Sequence, residues 1–208
     1  KLIAARVGLT YIDTGAMYRV VTLAALRCKL IDGAGQIDEE ALRKCLNKIK
    51  ISFKYNEELK CYETYLNGEN VESCIRGMEV ADHVSSVAAI GLVGEFVVAQ
   101  QREMAQNESV IMDGRDIGSV VFPNADVKFF MTASPDVRAE RRFKELKDKG
   151  VKVSYEEVKA NVEKRDYIDS HREVSPLVRT EDAVVVDNSC MTIEEEVEMM
   201  VKVIESKR

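Results

Sequence analysis

Residues 11–19 read YIDTGAMYR, and this stretch carries the pattern that predicts the fold. It opens with a short strand that ends at the carboxylate of Asp13, and a turn containing a glycine leads into a helix predicted over residues 17–28. Residues 110–115 repeat this order as VIMDGR, with a buried strand, an aspartate at its end and a glycine turn. Strands that alternate with helices in this way predict an α/β fold with a parallel sheet.

The same alternation continues on both sides of these two stretches. Residues 1–8 are typical of the last turns of a helix that ends at a glycine. Ser154 and Glu157 have the spacing of a capping box, which marks the start of a further helix. The remaining elements are helices predicted over residues 38–48, 78–89, 93–105, 138–149, 154–172 and 192–207 and strands predicted over residues 127–131 and 183–187.

Residues 49–75 have a different pattern. Apolar and polar residues alternate in ISFKY and in YETYL, and the second run is followed by Asn67 and Gly68. An alternation of period two with an asparagine–glycine pair predicts short antiparallel strands joined by tight turns. Because this segment lies between helical ones, we interpret it as a β-rich insert in the α/β domain.

The composition limits the classes of function. The chain has 208 residues, 46% of them hydrophobic, and a formal net charge of −6, so it suits one domain and lacks the basic excess of a broad nucleic-acid surface. Five scattered cysteines without a CxxC spacing and only two histidines argue against a disulfide framework and a multi-histidine metal site. No apolar run reaches the length of a membrane span. We therefore expect a soluble, cytoplasmic protein, and we expect it to be a monomer.

Both strand ends combine an acid with a nearby arginine, since Asp13 precedes Arg19 and Asp113 precedes Arg115. In open α/β sheets, ligands bind beside the carboxyl ends of the strands. A buried carboxylate is costly unless a cation or a metal ion meets it, so the two motifs favour a ligand site. The alternative is a pair of structural Asp–Arg bridges, and it is less favoured because the motif occurs twice.

Arginines are also dense in two of the predicted helices. Arg138 and Arg142 lie four residues apart and therefore share a helix face. The other arginines of these two helices that we consider are Arg141, Arg165 and Arg172. A charged helix face is usually just solvated, and the neighbouring glutamates agree with that interpretation. In an acidic protein, however, the repeated use of arginine instead of lysine favours bidentate recognition of phosphate.

Three stretches together resemble the signature sequences of bacterial-type cytidylate kinases. They are residues 11–19, YIDTGAMYR, residues 112–123, MDGRDIGSVVFP, and residues 165–172, RDYIDSHR, which SPL follows at 175–177. The resemblance covers essentially the whole chain and implies a three-layer, P-loop NTPase-like parallel sheet. It also implies a single kinase domain over residues 1–208. Its parts would be a core of residues 1–48, 76–137 and 173–208, a nucleoside monophosphate-binding insert of residues 49–75 and lid helices of residues 138–172.

The resemblance implies transfer of the γ-phosphoryl group of ATP to CMP or dCMP, with Mg²⁺ as the cofactor. Asp116 is also a sensible reader of the base on physical grounds, because a carboxylate accepts from the amino group of cytosine and repels O4 of uracil. In that account Ser85 also contacts the base, and Asp169 binds the sugar. The residues that the resemblance implies for substrate binding are Thr14, Tyr18, Arg19, Ser85, Arg115, Asp116, Arg165, Asp169 and Arg172. It implies that ATP is bound by Arg138 and Arg142. It implies that catalysis depends on Arg115, Arg165, Arg172 and Asp113, and that Asp113 also binds Mg²⁺ through water.

The sequence departs from the family's pattern at two places. The family has a Walker A loop, GxxxxGK(S/T), that cradles the ATP phosphates, and these 208 residues contain none. We expect the chain as written to bind ATP poorly and the natural protein to carry the loop before Lys1. Gly94 stands where the family usually has an arginine that contacts cytosine. Two alternatives stay open: a related nucleoside monophosphate kinase with another base preference, and a non-catalytic nucleotide-binding module.

Overall fold

Local sequence signals account for most of the helices and strands that the chain forms. The structure is a computed structural model that describes residues 1–32, 35–106, 108–171, 173 and 175–207. The chain divides into two compact units, one of Lys1 with Ile3–Gly114 and one of Leu2 with Arg115–Arg208.

Several helix ends of the first unit have caps that the sequence explains. The helix over Leu2–Val7 ends at Gly8, whose φ of 68° lies in the left-handed region that a glycine C-cap uses. The second helix begins earlier than predicted because the Asp13 carboxylate accepts a hydrogen bond from the Ala16 amide and caps it. The elements are α1 (Leu2–Val7), β1 (Thr10–Asp13), α2 (Thr14–Arg27), α3 (Glu39–Leu46), β2 (Ile51–Asn56), β3 (Cys61–Leu66), β4 (Glu69–Asn70), a 3₁₀ turn (Cys74–Arg76), α4 (Met78–Ala88), α5 (Gly91–Met104) and β5 (Val110–Asp113).

The strands β1 and β5 are parallel neighbours. Their register pairs Thr10 with Val110 and Asp13 with Asp113. Because the strands are parallel and this register pairs the two aspartates, both lie at the same edge of the sheet. Neighbouring strands are about 4.8 Å apart, so the two residues are close together. The sequence prediction that both acids follow a strand is confirmed.

The predicted antiparallel segment is also confirmed, as a three-stranded sheet in the order β2-β3-β4. Asn67 and Gly68 turn the chain with φ of 50° and 86°, and two positive values in succession are typical of a type I′ hairpin turn. Ile51 and Leu66 from this sheet belong to the same buried cluster as Met17 of α2. The β-rich segment therefore shares its hydrophobic core with the helices of the first unit.

The helices α4 and α5 pack into this core through Val87, Val93 and Val97, each with no exposed surface. Among the described residues, no single helix is both long and apolar enough to cross a membrane. The pair α4 and α5 meets that criterion only when the two helices are counted together, and they bend by 99° where they join.

The described residues of the second unit form a parallel strand pair, three helices and a π-helical turn that the sequence did not predict. Ser134 caps the first of these helices by accepting from the Val137 amide. The predicted capping box of Ser154 and Glu157 is confirmed, with the serine amide 2.8 Å from the glutamate Oε2. The elements are the π-helical turn (Ile117–Val121), β6 (Phe129–Thr132), α6 (Pro135–Asp148), α7 (Tyr155–His171), β7 (Val184–Asp187) and α8 (Ile193–Glu205).

The fold class is confirmed as mixed α/β, with parallel strands and a separate antiparallel sheet. The sequence predicts one parallel sheet, whereas the parallel strands of the described residues form two two-stranded sheets, β1–β5 and β6–β7. In the part of the chain that the structure describes, each of these four strands forms its hydrogen-bond ladder with one neighbour.

Candidate functional site

The two aspartates at the ends of β1 and β5 have different surroundings. Asp13 is fully engaged, since its Oδ1 caps α2 and its Oδ2 lies 3.1 Å from Nη2 of Arg76. Arg76 is also bound to Glu72, at 3.0 Å from the same nitrogen. The structural alternative, an Asp–Arg bridge, therefore holds for Asp13, with Arg76 as the partner. Arg76 was not among the site residues predicted from the sequence.

Asp113 is the acid that remains available at this edge. The Tyr11 hydroxyl donates to its Oδ1 at 2.6 Å, and its Oδ2 makes no hydrogen bond with the described residues. Burial, the hydrogen bond to Asp113 and the nearby carboxylate charges raise the pKa of Tyr11, so the phenol stays protonated and remains a donor. Tyr11 thus holds one oxygen of the exposed Asp113 carboxylate and leaves the other free.

The available oxygen of Asp113 suits a cation held through water. Mg²⁺ prefers oxygen ligands, keeps several waters, and is usually bound by one or two carboxylates together with substrate phosphates. The described residues contain no group of three or more metal-ligating side chains, so a dedicated all-protein cage is absent from that part of the chain. One free carboxylate oxygen fits the water-mediated role that the resemblance implies.

A hydrogen bond from Thr14 links the ends of β1 and β5. Its hydroxyl donates to the backbone carbonyl of Asp113 at 2.6 Å, and the residue is only 5% exposed. The resemblance implies that Thr14 binds the substrate, and in this structure its hydroxyl hydrogen is used within the protein. The contact fixes the end of β5 against the first turn of α2.

Removal of the Thr14 hydroxyl is expected to lower stability measurably. We expect Thr14→Val to reduce the free energy of unfolding by about 1 kcal/mol, because the shape is kept while the hydrogen bond to Asp113 is lost. Urea unfolding followed by circular dichroism measures the change. Thr14→Ser retains the hydroxyl but loses a buried methyl group, so it measures the loss of packing alone. A valine variant that is at least as stable as the wild-type protein would contradict this role.

The other predicted substrate residues of the first unit lie on α2 and α4. Arg19 is half-buried, and its Nη1 donates to the Ile75 carbonyl at 3.3 Å, which leaves its other nitrogens without a hydrogen bond to the described residues. Tyr18 is half-buried against the core cluster, and Ser85 is exposed on α4. At Gly94, on α5, an added Cβ meets no atom within 4 Å, so the helix has room for a side chain there.

In the second unit, two arginines converge on one aspartate. Nε of Arg115 lies 2.7 Å from Oδ2 of Asp169, and Nε of Arg165 lies 4.0 Å from the same oxygen. The Asp169 side chain is 17% exposed, whereas that of Arg165 is 71% exposed. Two positive charges against one negative charge leave this cluster with a net attraction for an anion. The structure thus brings together three of the predicted site residues.

Asp116 presents a carboxylate that nothing in the described residues engages. Its backbone carbonyl accepts hydrogen bonds from Val120 at 2.8 Å and Val121 at 3.2 Å, which starts the π-helical turn. Its side chain is half-buried and makes no hydrogen bond or ion pair with the part of the chain that the structure describes. Such turns occur often at functional sites. The side chain of Asp116 is therefore free to accept a hydrogen bond from a ligand.

The arginines predicted to flank ATP are paired with acids. Arg138 forms a bidentate ion pair with Asp166, with nitrogen–oxygen distances of 2.7 and 2.6 Å, and this pair joins α6 to α7. Arg142 lies 2.7 Å from Glu145 on its own helix. Binding to a phosphate would require both arginines to change partner. The remaining predicted residue, Arg172, lies outside the described residues.

Comparison with known proteins identifies similar sequences over nearly the whole chain. The family model described as Cytidylate kinase matches residues 1–206. The cytidylate kinase of Parabacteroides distasonis is 56% identical over 196 residues, which cover 94% of this chain and 85% of the relative. That of Flavobacterium johnsoniae is 53% identical over 196 residues, with the same coverage of 94% and 85%. That of Flavobacterium psychrophilum is 45% identical over 204 residues, or 98% of this chain and 90% of the relative.

Proposed function

The chain belongs to the cytidylate kinase family, and on that premise we propose that it transfers the γ-phosphoryl group of ATP to CMP or dCMP. The products are ADP and CDP or dCDP. The observation that supports this proposal most is the cluster of Arg115, Arg165 and Asp169, which joins an anion-attracting pair of guanidinium groups to a carboxylate. In a nucleoside monophosphate, the phosphate can bind to the two guanidinium groups and the sugar hydroxyls can donate to the carboxylate.

Phosphoryl transfer requires positioning and charge stabilisation more than covalent help from the protein. In the proposed mechanism Arg19, Arg115 and Arg165, together with Arg172, hold the monophosphate. Asp169 accepts hydrogen bonds from the sugar, and its contact with Arg115 keeps both groups in place before the nucleotide arrives. Asp113 would hold Mg²⁺ through water, and the bound ion would supply positive charge to the phosphates of ATP.

Base recognition is assigned to Asp116, with Ser85 as a second contact. The free carboxylate of Asp116 accepts from the exocyclic amino group of cytosine. Uracil has a carbonyl oxygen, O4, at that position. Both O4 and the carboxylate are hydrogen-bond acceptors, so no hydrogen bond can form between them. The proposed selectivity for cytosine therefore rests on a charge that no described residue neutralises.

The proposed fold and location follow from the same premise. We propose a P-loop NTPase-like arrangement in which α6 and α7 form the lid, with Arg138 and Arg142 exchanging their acidic partners for ATP phosphates when it closes. A cytoplasmic location agrees with the five cysteines, all of which are free thiols.

An assay of ADP formation tests the proposed reaction. Mg²⁺-ATP is supplied with CMP, dCMP, UMP or AMP, both to the 208-residue chain and to a version preceded by a strand and a GxxxxGK(S/T) loop. We expect the version with the loop to use CMP with a kcat/KM at least about tenfold above that for UMP or AMP, and to lose activity when EDTA removes Mg²⁺. A preference for AMP or UMP would indicate a related kinase. Tight CMP binding without transfer in either protein would indicate a binding module.

A further inference from the structure

Two cysteines that the proposed reaction does not use lie side by side in the first unit. Cys28 follows α2 and Cys45 lies in the last turn of α3, and their Sγ atoms are 3.7 Å apart. A disulfide bond is about 2.05 Å long, so the two sulfurs are in contact but must move closer before they can bond. Cys61, Cys74 and Cys190 are also free thiols.

A cavity gives reagents access to this pair. It has a volume of about 370 Å³, and its charged lining residues beside the two cysteines are Arg27, Lys44, Lys48 and Glu69. Cys28 is exposed and Cys45 is 9% exposed, so one sulfur faces solvent while the other is recessed behind it. Arg27 and Lys44 are paired with acids, whereas Lys48 makes no ion pair with the described residues. The cavity therefore has one lysine without an acidic partner among the described residues, and its charge favours a small anion.

We propose that Cys28 and Cys45 are a redox-active dithiol that glutathione disulfide, a small anionic disulfide, oxidises to an intramolecular disulfide bond. In the first step the Cys28 thiolate attacks one sulfur of glutathione disulfide. That sulfur–sulfur bond breaks, one glutathione thiolate leaves, and Cys28 carries the other glutathione. In the second step Cys45 loses its proton and attacks Sγ of Cys28, and the second glutathione leaves. The two cysteines lose two electrons and two protons in total, and glutathione disulfide gains them.

The environments of the two sulfurs determine this order. Burial, followed by the hydrogen bond with Cys28 and its charge, raises the pKa of Cys45 to about 11, while the charge of Lys48 lowers it. Cys45 is therefore a protonated thiol at neutral pH and a poor first nucleophile. The exposed Cys28 reacts first, and the recessed Cys45 resolves the mixed disulfide. The new bond links the end of α2 to the end of α3.

A peptide map of the oxidised protein tests the proposal. The 208-residue protein is incubated with glutathione disulfide at mildly alkaline pH, its remaining thiols are alkylated, and its tryptic peptides are identified by mass spectrometry. We expect the Cys28–Cys45 peptide to exceed every other linked pair and to disappear after reduction with dithiothreitol. Cys74 and Cys190, which are exposed and have no neighbouring sulfur in the described residues, should carry glutathione instead.

Single substitutions then separate the two steps. In Cys45→Ser, the glutathione attached to Cys28 should persist because nothing displaces it. In Cys28→Ser, the recessed Cys45 should stay largely unmodified. The map of the unsubstituted protein decides the question even if a variant fails to fold. Glutathione retained on Cys28 as fully as on Cys74, with no linked peptide, would overturn the proposal.

Discussion

Replacement of Arg115 by alanine is expected to weaken CMP binding by roughly 10- to 150-fold. The residue is proposed to make a charge-assisted contact with the monophosphate, and such contacts contribute about 1.5–3 kcal/mol. Isothermal titration of CMP into the wild-type and Arg115→Ala proteins measures the loss. Arg43→Ala is the matched control, because Arg43 is exposed on α3 and makes no ion pair with the described residues.

Two further ligands separate a direct phosphate contact from an indirect effect through Asp169. Arg115 lies 2.7 Å from Asp169, so its removal also releases the carboxylate proposed to bind the sugar. If Arg115 holds the phosphate, inorganic phosphate and CMP should lose affinity to a similar extent, whereas cytidine should be little affected. A loss confined to cytidine and CMP would place the effect at Asp169. Unchanged CMP affinity in Arg115→Ala would rule out the phosphate role.

Replacement of Asp116 by alanine is expected to remove most of the preference for CMP over UMP. An unpaired buried acceptor costs about 1–3 kcal/mol and more when it is charged, so the wild-type preference should be at least about tenfold. The alanine variant should lower kcat/KM for CMP more than it raises kcat/KM for UMP. Asp116→Asn offers a sharper test, since its amide can donate to O4 of uracil and should shift the preference towards UMP.

The glycine at position 94 makes the substitution of Asp116 a more decisive test of base recognition. Because a glycine has no side-chain donor, Asp116 carries most of the proposed discrimination in this chain. The space around Gly94 accepts a side chain, and Gly94→Arg should strengthen CMP binding by adding a donor to the edge of the base. An Asp116→Ala protein that keeps the full wild-type preference for CMP would show that the base is read elsewhere, most simply by Ser85 and backbone groups.

The elements that the sequence predicts well are those determined by neighbouring residues. The Asn67–Gly68 turn, the glycine cap at Gly8 and the capping box at Ser154 each depend on a few consecutive positions, and all three are confirmed. The π-helical turn over Ile117–Val121 was not predicted. It depends on backbone hydrogen bonds to the carbonyl of Asp116, for which the side-chain pattern contains no signal.

Pairings between distant residues could not be predicted in the same way. Asp13 and Asp113 follow similar strands, yet one is engaged by Arg76 and by its own helix while the other keeps a free oxygen. That difference depends on a residue that lies far from Asp13 in the sequence. The ion pair of Arg138 with Asp166 likewise requires two helices to pack together, and a helix pattern alone does not show which faces meet.

Isothermal titration of CMP, UMP and AMP into the 208-residue protein is the most direct test of the central claim, that this chain recognises a cytidine monophosphate. The residues proposed to bind the monophosphate all lie within this chain, so the titration does not depend on ATP. CMP should bind at least about tenfold more tightly than either UMP or AMP. Binding of UMP or AMP that equals or exceeds that of CMP would contradict it.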